Sequence, residues 1–128
     1  MKPGIAIGQT EILKVTVTPE MFAEFGGQVV HPAYSTAWMV YHMEWASRLI
    51  ILPYLEDDEE GMGSAVSVKH ISPAKEQEQI VVTATLTSIE GNAIWTDIHA
   101  KSESRLIGTG TVKQIILPKV KINSLLKT

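Results

Sequence analysis

Cysteine is absent from the chain. That excludes a disulfide framework, a thiolate metal site and a cysteine nucleophile. Positive charge is scarce as well: 11 Lys and Arg stand against 14 Asp and Glu, a net charge of −3. Such a balance is not the footprint of a nucleic-acid binder. The longest apolar stretch, Leu49–Leu55, falls far short of the roughly 20 residues of a membrane span. No charged region followed by an apolar run opens the sequence as in a secretory signal. No membrane partner is therefore expected, and a cytoplasmic location is. Also missing are a Gly-x-Ser-x-Gly elbow, a phosphate-cradling P-loop and a His-Glu-x-x-His motif. His42 and Glu44, two residues apart on a helix, point to different faces and make a poor metal pair. Neither a metal nor another cofactor is expected.

What is present is an ordinary globular composition. Hydrophobic residues make up 45% and charged residues 20% of 128 residues, which excludes disorder. A chain of this length forms one domain, taken here as 1–128, and buries about two thirds of its unfolded surface.

The pattern predicts a strand over Thr10–Thr18, a helical turn over Pro19–Phe25 ended by Gly26-Gly27, and a loop over Val29–Ala33. A long helix follows, capped by Ser35 or Thr36, running to Leu52 and stopped by Pro53. It is apolar nearly all round, so it must be buried on more than one side. Glu56–Glu60 reads as a solvated acidic loop closed by Gly61–Gly63. Four strands rich in Val, Ile and Thr come next: Ser64–Ile71, Gln79–Ile89, Ala93–Lys101 and Arg105–Leu117. Tight turns at Glu90-Gly91-Asn92 and Ser102-Glu103-Ser104 join the last three. Lys119–Thr128 is a basic, partly apolar tail. The order predicts an α+β fold with one long helix wrapped by an antiparallel sheet. One sheet covers one side of that helix, so a second subunit is expected on another.

Three polar residues interrupt this apolar framework. Glu44 lies mid-helix, where it either pairs with Arg48 at i,i+4 or reaches into a cleft. Thr36 shares a helix face with residue 44 and reads as an N-cap, a role compatible with chemistry at the positive end of the helix. His70 alternates with Val66 and Val68, so it is either a core histidine or a general base. Gly108-Thr109-Gly110 lies within a strand pattern and marks a bend or a close backbone approach.

The stretch Thr36-Ala37-Trp38-Met39-Val40-Tyr41-His42-Met43-Glu44-Trp45 with Pro53-Tyr54-Leu55-Glu56 resembles the fluoroacetyl-CoA thioesterase family of hotdog-fold enzymes. Gly63–His70, Ser88-Ile89-Glu90-Gly91 and Ile107–Thr111 extend the resemblance over most of residues 18–117. It implies a hotdog fold, a homodimer or dimer of dimers with sites near the subunit interface, and hydrolysis of an acyl-CoA thioester to a carboxylic acid and CoA. It further implies catalytic roles for Thr36, Glu44 and His70, and substrate-binding roles for Gly63 and Phe25. Phe25 stands eleven residues before Thr36, a longer connection than the family's, so the fluorinated substrate is not carried over. Two other readings remain beside the thioesterase: a hotdog enoyl-CoA hydratase and a non-catalytic acyl-CoA-binding module.

Overall fold

Helix α1 (Thr36–Ile51) forms where sixteen residues hold neither proline nor glycine. Ser35 caps it, its Oγ accepting from the Trp38 N–H at 3.1 Å, and Pro53 ends it within a 3-10 turn at Leu52–Tyr54. The computed structural model of the chain describes residues 1–127. Before the helix come strand β1 (Thr10–Thr16), a 3-10 turn at Pro19–Met21, and strands β2 (Phe22–Phe25) and β3 (Gln28–Tyr34). After it come β4 (Glu59–His70), β5 (Gln79–Glu90), β6 (Ala93–Ser102), β7 (Arg105–Pro118) and a short helix α2 (Lys119–Leu126). Five strands build one antiparallel sheet in the order β1-β5-β6-β7-β4, and β2 and β3 form a ribbon of their own. This is the expected α+β arrangement of one long helix on one antiparallel sheet.

The buried stripe of α1 is Met39, Met43, Ala46 and Ile50, spaced by four, three and four residues as a helix facing a core requires. It meets Ile80, Val82, Ala84, Ile94, Ile98 and Val112 from the sheet. Two devices bring helix and sheet together. Ser47 is fully buried, and its Oγ accepts from Thr96 Oγ1 and from Gln114 Nε2, each at 2.8 Å. This pins the helix to β6 and β7 with polar groups satisfied inside the core. Beside that pin, Gly108 and Gly110 of β7 leave room for methionine. A Cβ on Gly108 would fall 2.5 Å from Met39 Sδ, and one on Gly110 would fall 2.8 Å from Met43 Sδ. The Gly-Thr-Gly segment is thus a close approach of helix to strand.

Four local expectations are corrected. Phe22–Phe25 is a strand rather than a helical turn, and Gln28–Tyr34 is a strand rather than a loop. Gly26 and Gly27 adopt φ of +60° and +83°, a left-handed pair that closes a two-residue hairpin. Pro32 is tolerated because the ribbon is all edge. The acidic segment is not wholly a solvated loop: β4 begins at Glu59, where partners hold the carboxylates. Glu59 accepts from the Met1 amino group at 3.0 Å and from the Glu56 N–H at 2.9 Å, and Glu60 pairs with Arg48 at 2.8 Å. Those bonds draw both carboxyl groups below their ordinary range, led by the Glu56 amide for Glu59 and by Arg48 for Glu60. Finally, the tail turns into α2, tied by its Lys119 N–H to Asp58 O at 2.7 Å.

Gly110→Ala tests the close approach. The new methyl meets both Met43 and the Ser67 carbonyl oxygen, the latter at 2.9 Å. A loss of about 1–3 kcal/mol is expected, the usual cost of overpacking, read from denaturant unfolding with an unchanged slope. Wild-type stability would show that helix and strand have slack between them.

Candidate active site

Strand β4 and helix α1 supply the polar trio, and an irregularity in β4 decides which side chains face the helix. Side chains alternate along a strand, so residues 63 and 70 belong on opposite faces. The register with β7 slips between Gly63 and Ala65, placing a bulge at Ser64. Before it, Gly63 faces Glu44 of α1. After it, Val66, Val68 and His70 lie opposite Val112, Gly110 and Gly108, which face the same helix. Both Gly63 and His70 therefore look inward.

Thr36 and His70 meet. Thr36 Oγ1 and His70 Nδ1 share a hydrogen bond of 2.8 Å across 34 residues of sequence. Because Ser35 does the capping, the Thr36 hydroxyl is released from that task. His70 Nε2 is sealed from solvent and has no partner among the described residues, so Nδ1 is the nitrogen the ring presents to Thr36. The cap serves the Trp38 N–H alone. Among the described residues the Thr36 and Ala37 N–H groups donate no hydrogen bond. The N-terminus of α1 thus offers two free donors and the positive end of the helix dipole beside a hydroxyl–imidazole pair.

Two cavities flank Thr36. One, of 420 Å³, holds His70, Tyr34, Ile71 and Ser72. The other, of 380 Å³, lies under the hairpin and is lined by Phe22, Phe25, Ala37 and Trp38. Ala23, His31, Ser35 and Thr36 belong to both. Phe25 is 74% exposed at the end of β2 and stands at the rim of the second.

Glu44 lies elsewhere. It is exposed and lines a separate 330 Å³ cavity with Tyr41, Trp45, Arg48 and Gly63. A Cβ on Gly63 would fall 3.0 Å from Glu44 Oε2, so glycine leaves space for the carboxylate. Eight residues of α-helix rise about 12 Å, which separates Glu44 from Thr36 of its own chain. Nor is Glu44 the ion partner of Arg48, which pairs with Glu60 at 2.8 Å.

Sequence reasoning missed Tyr34 and left His42 without a role. Tyr34 is 2% and His42 is 3% exposed, and the Tyr34 hydroxyl and His42 Nδ1 are hydrogen-bonded at 2.6 Å. The two rings stack with centroids 5.7 Å apart, and Tyr34 also meets His70 edge-on at 6.3 Å. Burial pushes the Tyr34 phenol up, so it stays protonated, and lowers the His42 imidazole below its ordinary value. The available signal is the aromatic Tyr34 two residues before Thr36.

The sequence profile of the fluoroacetyl-CoA-specific thioesterases (FlK) matches residues 17–120. The chain belongs to that family. The fluoroacetyl-CoA thioesterase of Streptantibioticus cattleyicolor is 30% identical over 97% of this chain and 94% of its own length. Among solved structures, a hypothetical protein of Thermus thermophilus, described as a thioesterase superfamily member, superposes with a TM-score of 0.94. It is 41% identical over 98% of this chain and 93% of that one. A structure of FlK matches with a TM-score of 0.88 at 28% identity, covering 97% and 96% of the two chains. A hot-dog-like protein of Thermanaerovibrio acidaminovorans, at 16% identity and a TM-score of 0.85, shows the shared fold. This FlK-family chain therefore has the hotdog architecture that its helix and sheet already describe.

Burial of His42 has a consequence for acid stability in this family member. The unfolded chain protonates this imidazole as pH falls through about 6.5, while the folded chain resists until a lower pH. Stability contributed by neutral His42 is thus present above about pH 6.5 and declines below it. The melting temperature should fall between about pH 7 and about pH 5.5, and His42→Leu should flatten that slope even though the variant starts lower. An equally steep slope in His42→Leu would assign the acid sensitivity to other groups.

Proposed function

We propose that this protein hydrolyses an acyl-CoA thioester to a carboxylic acid and CoA. The observation that carries the reading is the 2.8 Å bond between Thr36 and His70 at the uncapped amides of a helix N-terminus. Relatives support the substrate class: one variant of FlK has been solved with acetyl-CoA, and another with fluoroacetate and CoA.

In this reading the nucleophile is Thr36 Oγ or a water hydrogen-bonded to it. His70 Nδ1 takes its proton as the oxygen adds to the thioester carbonyl carbon. Negative charge then develops on the carbonyl oxygen, and the Thr36 and Ala37 N–H groups, already in place, donate hydrogen bonds to it. When the C=O double bond re-forms, the C–S bond breaks, and the imidazolium gives its proton to the departing CoA thiolate. An acyl-Thr36, where formed, is cleared by water through the same base.

Glu44 enters from a second subunit. Its own Thr36 lies about 12 Å away along the helix, while its surroundings are those of an interface. Tyr41 and Trp45 flank it with 53% and 43% exposure, and Val66 on the adjoining strand is 36% exposed. Strand β4 is an outer strand of the sheet, and an open edge beside an apolar face invites pairing with a second copy. A two-fold homodimer on this face carries the partner subunit's Glu44 toward Thr36, where its charge favours the imidazolium and orients the attacking oxygen. Gly63 keeps the space in which that carboxylate rests.

Two measurements test this. His70→Ala should lower thioester hydrolysis at least about a hundredfold, the low end for losing a general base, in a protein that still folds. Unchanged turnover would make His70 a core histidine. Thr36→Ala and Glu44→Gln should each be inactive alone yet recover about a quarter of wild-type turnover when their subunits are mixed and exchanged. Random pairing makes half of the dimers hybrid, and each hybrid holds one intact site of two. No recovery in a mixture shown to exchange subunits would mean that Glu44 serves its own chain or none.

A further inference from the structure

The cavity under the hairpin is larger than a two-carbon acyl group needs. Its volume is 380 Å³, whereas an acetyl group occupies the space of about two waters at roughly 30 Å³ each. Three of its walls are aromatic, Phe22, Phe25 and Trp38. Glu20 and Glu24 also line it, with neither lysine nor arginine among its described residues and only His31 to set against them. An acyl chain ending in a carboxylate would meet like charge there.

The hairpin walls one side of this cavity. The ten residues between Phe25 and Thr36 give β3 the length to fold back on β2. That pairing holds Phe22 opposite Tyr34 and Phe25 opposite Gln28, and both phenylalanines line the cavity together with Thr36, Ala37 and Trp38. Building on the thioesterase reading above, we infer that the acyl group cleaved at Thr36 is uncharged and aromatic, as in an arylacetyl-CoA. Its ring fills the cavity between the hairpin phenylalanines and Trp38, where aromatic faces and edges pair favourably. The thioester carbonyl then lies at the Thr36 end of the same space.

Rates of thiol release from phenylacetyl-CoA, hexanoyl-CoA, acetyl-CoA and succinyl-CoA decide the matter. The expected kcat/KM for phenylacetyl-CoA is at least about tenfold above that for acetyl-CoA, in the range a filled apolar pocket confers, with succinyl-CoA lowest. Ala23→Phe, which fills the cavity from the hairpin side, should lower the phenylacetyl-to-acetyl ratio about tenfold. Acetyl-CoA cleaved as well as phenylacetyl-CoA, or a ratio unmoved by Ala23→Phe in a folded protein, would overturn the inference and leave the thioesterase reading intact. Preference for hexanoyl-CoA would overturn it in favour of aliphatic chains. Absence of thiol release from all four would overturn both.

Discussion

The approach of α1 to β7 is the constraint on which the rest of the molecule depends. Met39 and Met43 sit over Gly108 and Gly110 so closely that a single methyl on either glycine would collide. Closeness fixes the height of the helix above the sheet, and the Ser47 hydrogen bonds to Thr96 and Gln114 fix its rotation. With height and rotation set, Thr36 at one end comes within hydrogen-bond reach of His70, and Glu44 two turns later lies over Gly63. A looser seat would leave the same residues in the same order without the 2.8 Å bond.

The division of labour between Ser35 and Thr36 matters as much. Two adjacent hydroxyl residues stand at the helix start, and one alone performs the capping. Had Thr36 capped, its oxygen would be occupied by a backbone N–H and less available to an imidazole. The Tyr34–His42 pair packs behind the site, with Tyr34 edge-on to the His70 ring. The polar groups of the site thus rest on an aromatic wall instead of on mobile surface side chains.

Long, strongly periodic elements were legible in the sequence: α1, β5, β6 and β7 appear within one residue of their expected limits, while β4 starts five residues early, at Glu59. So was the inward face shared by Val66, Val68 and His70, because alternation is a local property. The β2–β3 ribbon was not, since a short strand with Pro32 inside it carries no signal of its own. Helical spacing shows that Thr36 and Glu44 share a direction and stand about 12 Å apart along the axis, but not that the Glu44 carboxylate rests over Gly63 of β4, which tertiary packing decides. The ion pairing of Arg48 was equally hidden, because its partner Glu60 arrives from another strand.

The bulge at Ser64 carries a consequence for how this sequence can change. Gly63 and His70 are separated by an odd number of positions, yet both face α1, because one residue of the seven is spent on the slip in register. The strand therefore keeps count modulo two. Removing Ser64 itself would take out the slip and leave an even separation, with both residues still inward. Losing or gaining any other single residue between them, with the slip kept, would turn the glycine or the histidine to the outside. A two-residue insertion or deletion beyond the bulge would preserve parity and shift only the distance. Relatives of different length in this strand are then comparable residue by residue only after the slip has been placed, and an alignment that ignores it will pair an inward side chain with an outward one.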